Sequence, residues 1–128
     1  SAAAYQGDVV APFSSRGGPG LALGIAKPDV TAPGVQILAG TTPTPATVDG
    51  GATGQLFMAI QGTSMSSPHV AGAAALLRDL QPTWTPGQIK SALMLTATGA
   101  VVKEDGSTPA DPFDVGSGRI DLHKAAHA

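Results

Sequence analysis

The strongest candidate for covalent chemistry in the sequence is Ser64, which lies between small residues where one apolar run ends and another begins. Residues 56–60 form a compact apolar run of strand length, and residues 70–77 are apolar on every side, which predicts a buried helix. A serine at such a junction presents its hydroxyl beside unpaired amides and the positive end of the helix dipole. A developing oxyanion is stabilised there, so the position suits a nucleophile of acyl transfer.

A structural interpretation competes with catalysis. Pro68 is tolerated in the first turn of a helix, so we expect the helix to begin near Pro68 and run to about Asp79 or Leu80. Ser64, Ser66 and Ser67 would then cap that helix by accepting bonds from its first amides. The G-x-S-x-G string of a nucleophile elbow is absent, and on the residues alone capping is the stronger interpretation.

The three histidines are weak candidates for a catalytic base. His69 follows Ser64 by five residues, which on a helix is about 7.5 Å along the axis and a rotation of ~140°. A general base needs heavy-atom contact of roughly 2.6–3.2 Å. We therefore expect His69 to be structural and buried. His123 and His127 have the i, i+4 spacing of a metal pair with Asp121 nearby, but a solvated terminus is the favoured interpretation.

Three other residues have structural expectations. Asp29 precedes the Pro33-Gly34 pair, which predicts a turn carboxylate bonded to backbone amides. Trp84 is expected to pack over the second helix, and Met65 to fill space beside Ser64.

The order of elements indicates an α/β layered fold. Residues 9–13, 35–39 and 56–60 predict strands, and residues 40–55 predict a surface loop of the kind that often borders a site. Thr85-Pro86 starts a second, amphipathic helix, for which Gly99 is the expected C-cap. A turn-rich excursion covers residues 101–114, and a short helix follows Asp121.

Composition excludes several functions. The net charge is −2 and charged residues are 12% of the chain, so no basic field exists to bind nucleic acid. The longest strongly apolar run is far shorter than the ~18–20 residues needed to span a bilayer, and we expect no membrane insertion. Without Cys the chain has no disulfide, thiolate metal site or cysteine nucleophile. It also contains no Asn.

Longer motifs change the balance in favour of catalysis. Residues 62–72, GTSMSSPHVAG, strongly resemble the active-site serine signature of the subtilisin-like (S8) peptidases. Residues 13–17 (FSSRG), 27–35 (KPDVTAPGV) and 114–118 (DVGSG) resemble neighbouring segments of the same family. From the first of these segments to the last, the region that carries the resemblance spans roughly four-fifths of the chain.

The resemblance implies that Ser64 attacks a peptide carbonyl and that its own amide holds the oxyanion, while Gly62 and Thr63 contact the substrate. The catalytic aspartate and histidine of this family precede the serine. This chain has no histidine before Ser64 and no Asn for the family's oxyanion site, and Asp8, Asp29 and Asp49 are not in the family's aspartate motif. We therefore expect that the chain begins after those segments and is inactive by itself.

These observations give one set of expectations. Residues 1–128 are the C-terminal segment of a subtilisin-like catalytic domain, with a partial α/β fold of a mostly parallel sheet and flanking helices. The partners are a peptide or protein substrate and the upstream half of the same domain, and the location is extracellular or at the cell surface. No cofactor is expected in this segment, whereas calcium, common in the family, remains open for the full-length enzyme. The alternatives are a catalytically dead segment that self-associates or complements its missing half and, less favoured, a peptide-binding pseudoprotease.

Overall fold

The computed structural model describes residues 6–18 and 24–128, and these form two strands and four α-helices. The elements are β1 (Ile37–Gly40), β2 (Phe57–Ile60), α1 (Thr63–Leu80), α2 (Pro86–Leu95), α3 (Pro112–Val115) and α4 (Leu122–Ala126). A short 3₁₀ turn, Val48–Gly50, lies in the loop between the strands. The partial α/β class that the sequence predicts is confirmed.

The pairing of β1 with β2 is antiparallel, with Ile37 opposite Ile60 and Gly40 opposite Phe57. The sequence-based expectation of a mostly parallel sheet is therefore not met by this strand pair. Its two strands are joined by a loop without a crossover helix, and such a connection returns the chain antiparallel. Parallel pairing occurs among the described residues only as the single bridges Val9–Val102 and Thr31–Arg119.

The segment 9–13 does not form the strand that its apolar residues predict. Val9 makes one bridge, and the Val10 amide donates to Val102 O at 2.9 Å. Pro12 has no amide to donate, so the ladder cannot continue through it.

Helix α1 begins at Thr63, five residues before the expected start, so the prediction that Pro68 occupies the first turn was wrong. Pro68 lies inside the helix, where its missing N–H leaves the carbonyl of Ser64 without its usual i+4 donor. The helix ends at Leu80, as the sequence predicts.

Helix α2 begins as its sequence predicts but ends earlier. Thr85 is the N-cap of a capping box in which its side chain accepts from the Gln88 amide, and the Gln88 side chain accepts from the Thr85 amide. Its C-cap is Thr96 and not Gly99. The Thr96 amide and hydroxyl both donate to the Ala92 carbonyl, which ends the helix three residues before the glycine.

The sequence predicts α4 but not α3. Asp121 caps α4 by accepting from the Lys124 amide at 3.0 Å. α3 lies at the end of the stretch expected to be only turns. Asp111 and Asp114 form a capping box around its first turn, a signal that the spacing of the two aspartates carries. Asp114 is also buried and pairs with Arg16, which ties this turn to the segment before residue 18.

The main core is formed where α1, α2 and α4 meet. It consists of Ala73, Leu77, Ile89, Leu93 and Ala125, with Trp84 packed against it as expected. Leu77 is fully buried. A smaller cluster of Val10, Val101 and Val115 lies under the segments around α3.

Much of α1 is exposed, although its uniformly apolar sequence predicts a buried helix. Only Ala73 and Leu77 are buried, whereas Leu76 is 54% and Leu80 58% exposed. β1 and β2 also expose Leu38 (72%) and Phe57 (61%). The apolar composition of α1 therefore exceeds what α2 and α4 cover.

Within residues 6–18 and 24–128, no helix combines the length and the apolar character needed to cross a membrane.

The contrast between Leu77 and its neighbour Leu76 gives a direct test of this packing. We expect Leu77→Ala to lower the free energy of unfolding of the chain by about 2–5 kcal/mol, because it opens a cavity in the core. Leu76→Ala, the matched control on the exposed face, should cost less than about 1 kcal/mol. Urea denaturation followed by circular dichroism measures both, and equal losses would contradict the packing described.

Candidate active site

Ser64 is the second residue of α1 and is exposed, immediately after a sharp junction with β2. β2 ends at Ile60, and Gly62 follows with φ +153° and ψ 162°, a conformation that residues with a Cβ seldom adopt. The sequence-based expectation of a strand-to-helix junction at the serine is confirmed. The junction presents the Ser64 side chain at the start of an 18-residue helix.

The serines do not cap this helix, so the capping interpretation was wrong. The N-cap residue is Gly62, and no side chain bonds the first amides. The Gly62 amide donates to Gly34 O at 2.8 Å, and the Met65 amide donates to Gly62 O at 3.0 Å. The amides of Thr63 and Ser64 donate no hydrogen bond to any of the described residues. Two donors and the positive end of the helix dipole therefore remain available beside the Ser64 hydroxyl.

A cleft of about 580 Å³ adjoins the junction. Gly62 and Thr63, which the resemblance assigns to substrate contact, line it together with Ser66. Phe13 and Ser14 form part of another wall. The structure thus brings the FSSRG segment to the same cleft as the serine signature, whereas the loop 41–56 contributes no lining residue.

One end of the cleft carries an ion pair that sequence analysis did not anticipate. Asp8 pairs with Arg119, and both residues line the cleft. They lie at opposite ends of the chain, so no local pattern could have indicated this contact. In the sequence, Asp8 is notable only as an aspartate outside the family's aspartate motif.

His69 is exposed, which corrects the expectation of a buried side chain. Its Nδ1 donates to the carbonyl of Met65, one turn earlier, at 2.8 Å. The face of α1 that carries His69 is uncovered in this chain, which explains the exposure. Within the described residues His69 makes no hydrogen bond to Ser64, so it is not arranged as the base for Ser64. Met65 beside it is partly buried.

The His123–His127 pair does not form a metal site in the part of the chain that the structure describes. Both residues are exposed, and His127 Nδ1 donates to the His123 carbonyl at 2.8 Å. Their rings are 4.9 Å apart and tilted. No group of three His, Cys, Asp or Glu residues within residues 6–18 and 24–128 could hold a metal ion.

Asp29 is held by two lysines and not by turn amides, which corrects its predicted bonding. Its carboxylate pairs with Lys27 Nζ at 2.5 Å and with Lys90 Nζ of α2 at 2.8 Å. Hydrogen bonds from Lys27 first, and then from Lys90, hold the pKa of Asp29 below its ordinary value of 3.8. The side chain lies 29% exposed between segment 27–30 and α2. Lys90 is distant from Asp29 in the sequence, and Pro28 separates Lys27 from it. The sequence alone therefore does not indicate these two ion pairs.

The comparisons with known proteins agree on one family. The sequence model described as the Subtilase family, peptidase S8, matches residues 1–118. Subtilisin-like protease SBT3.2 of Arabidopsis thaliana is 46% identical over 125 residues, which cover 92% of this chain and 16% of that protein. The CO(2)-response secreted protease of the same plant is 44% identical over 118 residues, which cover 87% of this chain and 15% of the relative.

Solved structures give the same answer. Fervidolysin from Fervidobacterium pennivorans, described as a keratinolytic enzyme related to subtilisin, superimposes with a TM-score of 0.59 at 32% identity. The match covers 78% of this chain and 15% of fervidolysin. The Prenylagaramide maturation protease PagA matches with a TM-score of 0.53 at 28% identity, over 75% of this chain and 31% of PagA.

The chain therefore belongs to the subtilase family of serine proteases. It spans about 16% of the length of the curated relatives to which it is similar. The resemblance drawn from the sequence motifs is confirmed.

The ion pairs of Asp29 predict a pH-dependent contribution to stability. Because folding lowers the pKa of Asp29, its contribution is complete above the unfolded value of 3.8 and is lost as the pH falls through the folded value. Asp29→Asn should therefore lower the free energy of unfolding at about pH 7 by about 1 kcal/mol or less, and have a smaller effect at about pH 3. Urea denaturation at both pH values measures this.

Asp49→Asn is the matched control, because Asp49 is exposed and has no ion pair within the described part of the chain. An Asp29→Asn effect that is equal at both pH values, or equal to that of Asp49→Asn, would contradict the ion-pair assignment.

Proposed function

We propose that the chain is the nucleophile-bearing segment of a serine endopeptidase and that Ser64 attacks the carbonyl of a peptide or protein substrate. The position of Ser64 carries this proposal, since its hydroxyl lies at a glycine-capped helix N-terminus whose first amides have no side-chain cap. Membership of the subtilase family supports the reaction class. The whole of residues 1–128 then forms the C-terminal part of one catalytic domain.

The proposed chemistry assigns each group one role. The Ser64 oxygen forms a bond to the carbonyl carbon, and the carbonyl oxygen becomes an oxyanion that accepts a hydrogen bond from the Ser64 amide. Gly62 and Thr63, which line the cleft, contact the substrate main chain. The hydroxyl proton passes to a histidine and then to the leaving amine, and water later hydrolyses the acyl-enzyme.

We infer that the base comes from outside this chain. None of the three histidines precedes Ser64, as the catalytic histidine of the family does, and none of them makes a hydrogen bond to Ser64 within the described residues. The relatives are about six times longer than the matched region, so they have room for the aspartate, the histidine and the oxyanion asparagine. We propose that the upstream half of the same domain supplies these three residues and that the isolated chain is inactive.

The secreted relative favours an extracellular or cell-surface location for the complete protein. Calcium dependence of the complete protein is a further proposal, based on the family alone.

A fluorophosphonate probe tests the nucleophile and the source of the base together. We expect no covalent label on the isolated chain, and a label on Ser64 after the upstream half of the catalytic domain is supplied in trans or by fusion. Ser64→Ala should abolish labelling of the assembled protein, because it removes the attacking oxygen. Peptide mapping by mass spectrometry locates the label.

Ser67→Ala is the matched control, since Ser67 lies one turn further along the same helix and should leave labelling unchanged. A label on Ser64 in the isolated chain would contradict the external base. Labelling of the assembled Ser64→Ala protein at another residue would overturn the assignment of the nucleophile.

A second candidate function is association, favoured by the exposed apolar side chains of β1, β2 and α1. Leu38, Phe57 and Leu76 are each more than half exposed in this chain. Such surfaces, together with strand edges, promote pairing with another chain or with a second copy. The segment would then act as an interaction unit that self-associates or complements its missing half.

Sedimentation velocity of the isolated chain tests this second function. We expect reversible dimers or larger species at tens of micromolar, and Phe57→Gln should shift the chain toward monomer because it removes apolar area from the contact surface. Thr53→Ala, on an exposed polar side chain in the loop before β2, is the control. A monomeric unmodified chain would count against self-association.

A further inference from the structure

Two glycine-containing motifs have no role in the chemistry proposed above, yet they contact each other along the main chain. They are residues 29–34, here called the brace, and residues 116–120. The Ser117 amide donates to Asp29 O at 2.9 Å, and the Thr31 amide donates to Gly118 O at 2.9 Å. The Ile120 amide donates to Thr31 O at 3.0 Å. The first half of the brace is therefore paired with the C-terminal segment.

The C-terminal segment is itself fixed on its other side. The Arg119 amide donates to Thr98 O at 3.0 Å, and the Thr98 amide donates to Arg119 O at 2.9 Å. Ile120 then packs against the core formed by α1, α2 and α4. Lys90 of α2 adds its ion pair to Asp29 at the start of the brace. The brace thus begins on a well-anchored part of the molecule.

Glycine is required where residues 116–120 meet the brace and where they meet Thr98. A Cβ at Gly116 would lie 2.4 Å from Asp29 O, and a Cβ at Gly118 would lie 2.0 Å from Thr98 O. Both positions also have positive φ, +62° and +118°. A larger residue at either position would push the brace or Thr98 away.

The far end of the brace contacts the residues on both sides of Ser64. Gly34 O accepts the Gly62 amide at 2.8 Å. A Cβ at Gly34 would lie 2.3 Å from Ser66 Oγ and 2.8 Å from Gly62 O. The backbone at Gly34 therefore packs directly against the junction between β2 and α1.

We propose that the brace is a positioning element for the nucleophile, and that Gly118 and Gly34 are positioning residues which fix the main chain of Gly62 and, through it, the Ser64 hydroxyl and amide. The effect on catalysis rests on the proposed function, whereas the effect on the junction does not. A misplacement of the nucleophile by about 1 Å can cost about 100-fold in rate. The substrate itself need not bind less tightly.

The test uses Gly118→Ala, at a position that does not line the cleft, together with Gly34→Ala, at a position that does. In the 128-residue chain, we expect the Gly62 amide to exchange with deuterium at least about 10-fold faster in each variant, because its acceptor at Gly34 is displaced. In the assembled protease, kcat for a peptide substrate should fall about 10–100-fold while KM changes less than about threefold. A smaller folded fraction would also lower the apparent kcat at constant KM, so each rate is divided by the concentration of active sites titrated with the fluorophosphonate probe.

Gly99→Ala is the matched control, because a Cβ at Gly99 meets nothing within 4 Å. It should leave both the deuterium exchange of the Gly62 amide and kcat unchanged.

If circular dichroism shows that Gly118→Ala does not fold, Gly34→Ala provides the test. An unchanged rate of deuterium exchange at the Gly62 amide in a folded variant would contradict the positioning role of the brace. A rise in KM at constant kcat would contradict it as well. If the unmodified assembly is inactive, the proposed function fails, and the exchange result still decides whether the brace holds the junction.

Discussion

The packing of α1 against α2 and α4 is the interaction on which the rest of the structure depends. Leu77, the fully buried side chain near the end of α1, is held among Ile89, Leu93 and Ala125. α1 carries Ser64 at its other end, so the same contact that forms the core also fixes the direction from which the helix N-terminus faces the cleft. The dipole of a helix stabilises charge only close to the helix end, and this packing orients the N-terminus of α1 toward the cleft.

The start of α1 combines amide donors with the Ser64 hydroxyl, and no histidine makes a hydrogen bond to that hydroxyl within the described residues. A glycine-capped helix start leaves amide donors free beside Ser64, and the adjoining cleft is lined by Gly62 and Thr63. His69, the histidine nearest to Ser64 in the sequence, is exposed and donates its Nδ1 to the Met65 carbonyl. The uncovered apolar side chains of α1 and the two strands fit the same interpretation, because a larger domain would have partners for them.

The differences between expectation and structure have local physical reasons. Pro68 favoured a helix start because proline is common in a first turn. The helix nevertheless extends back to Thr63, with one backbone hydrogen bond missing at Pro68. Gly99 favoured a helix end at that residue, yet α2 ends at Leu95 with Thr96 as its C-cap. The Thr96 hydroxyl donates to the Ala92 carbonyl there. Asp29 predicted an amide-bonded turn, but Lys90 approaches it from α2. Only the Asp29 difference arises from a contact between distant segments, whereas the other two arise within α1 and α2 themselves.

The sequence by itself determined the family, the strand-to-helix junction at Ser64, the Thr85 cap of α2 and the α/β class, because motifs, caps and apolar runs are properties of neighbouring residues. Only the tertiary structure decided which amides stay free at the start of α1, that Asp8 meets Arg119, and that Gly34 and Gly118 lie at points of backbone contact. These features depend on segments far apart in the chain. Their distances are set by how α1, α2 and α4 pack, and no local pattern of residues specifies that packing.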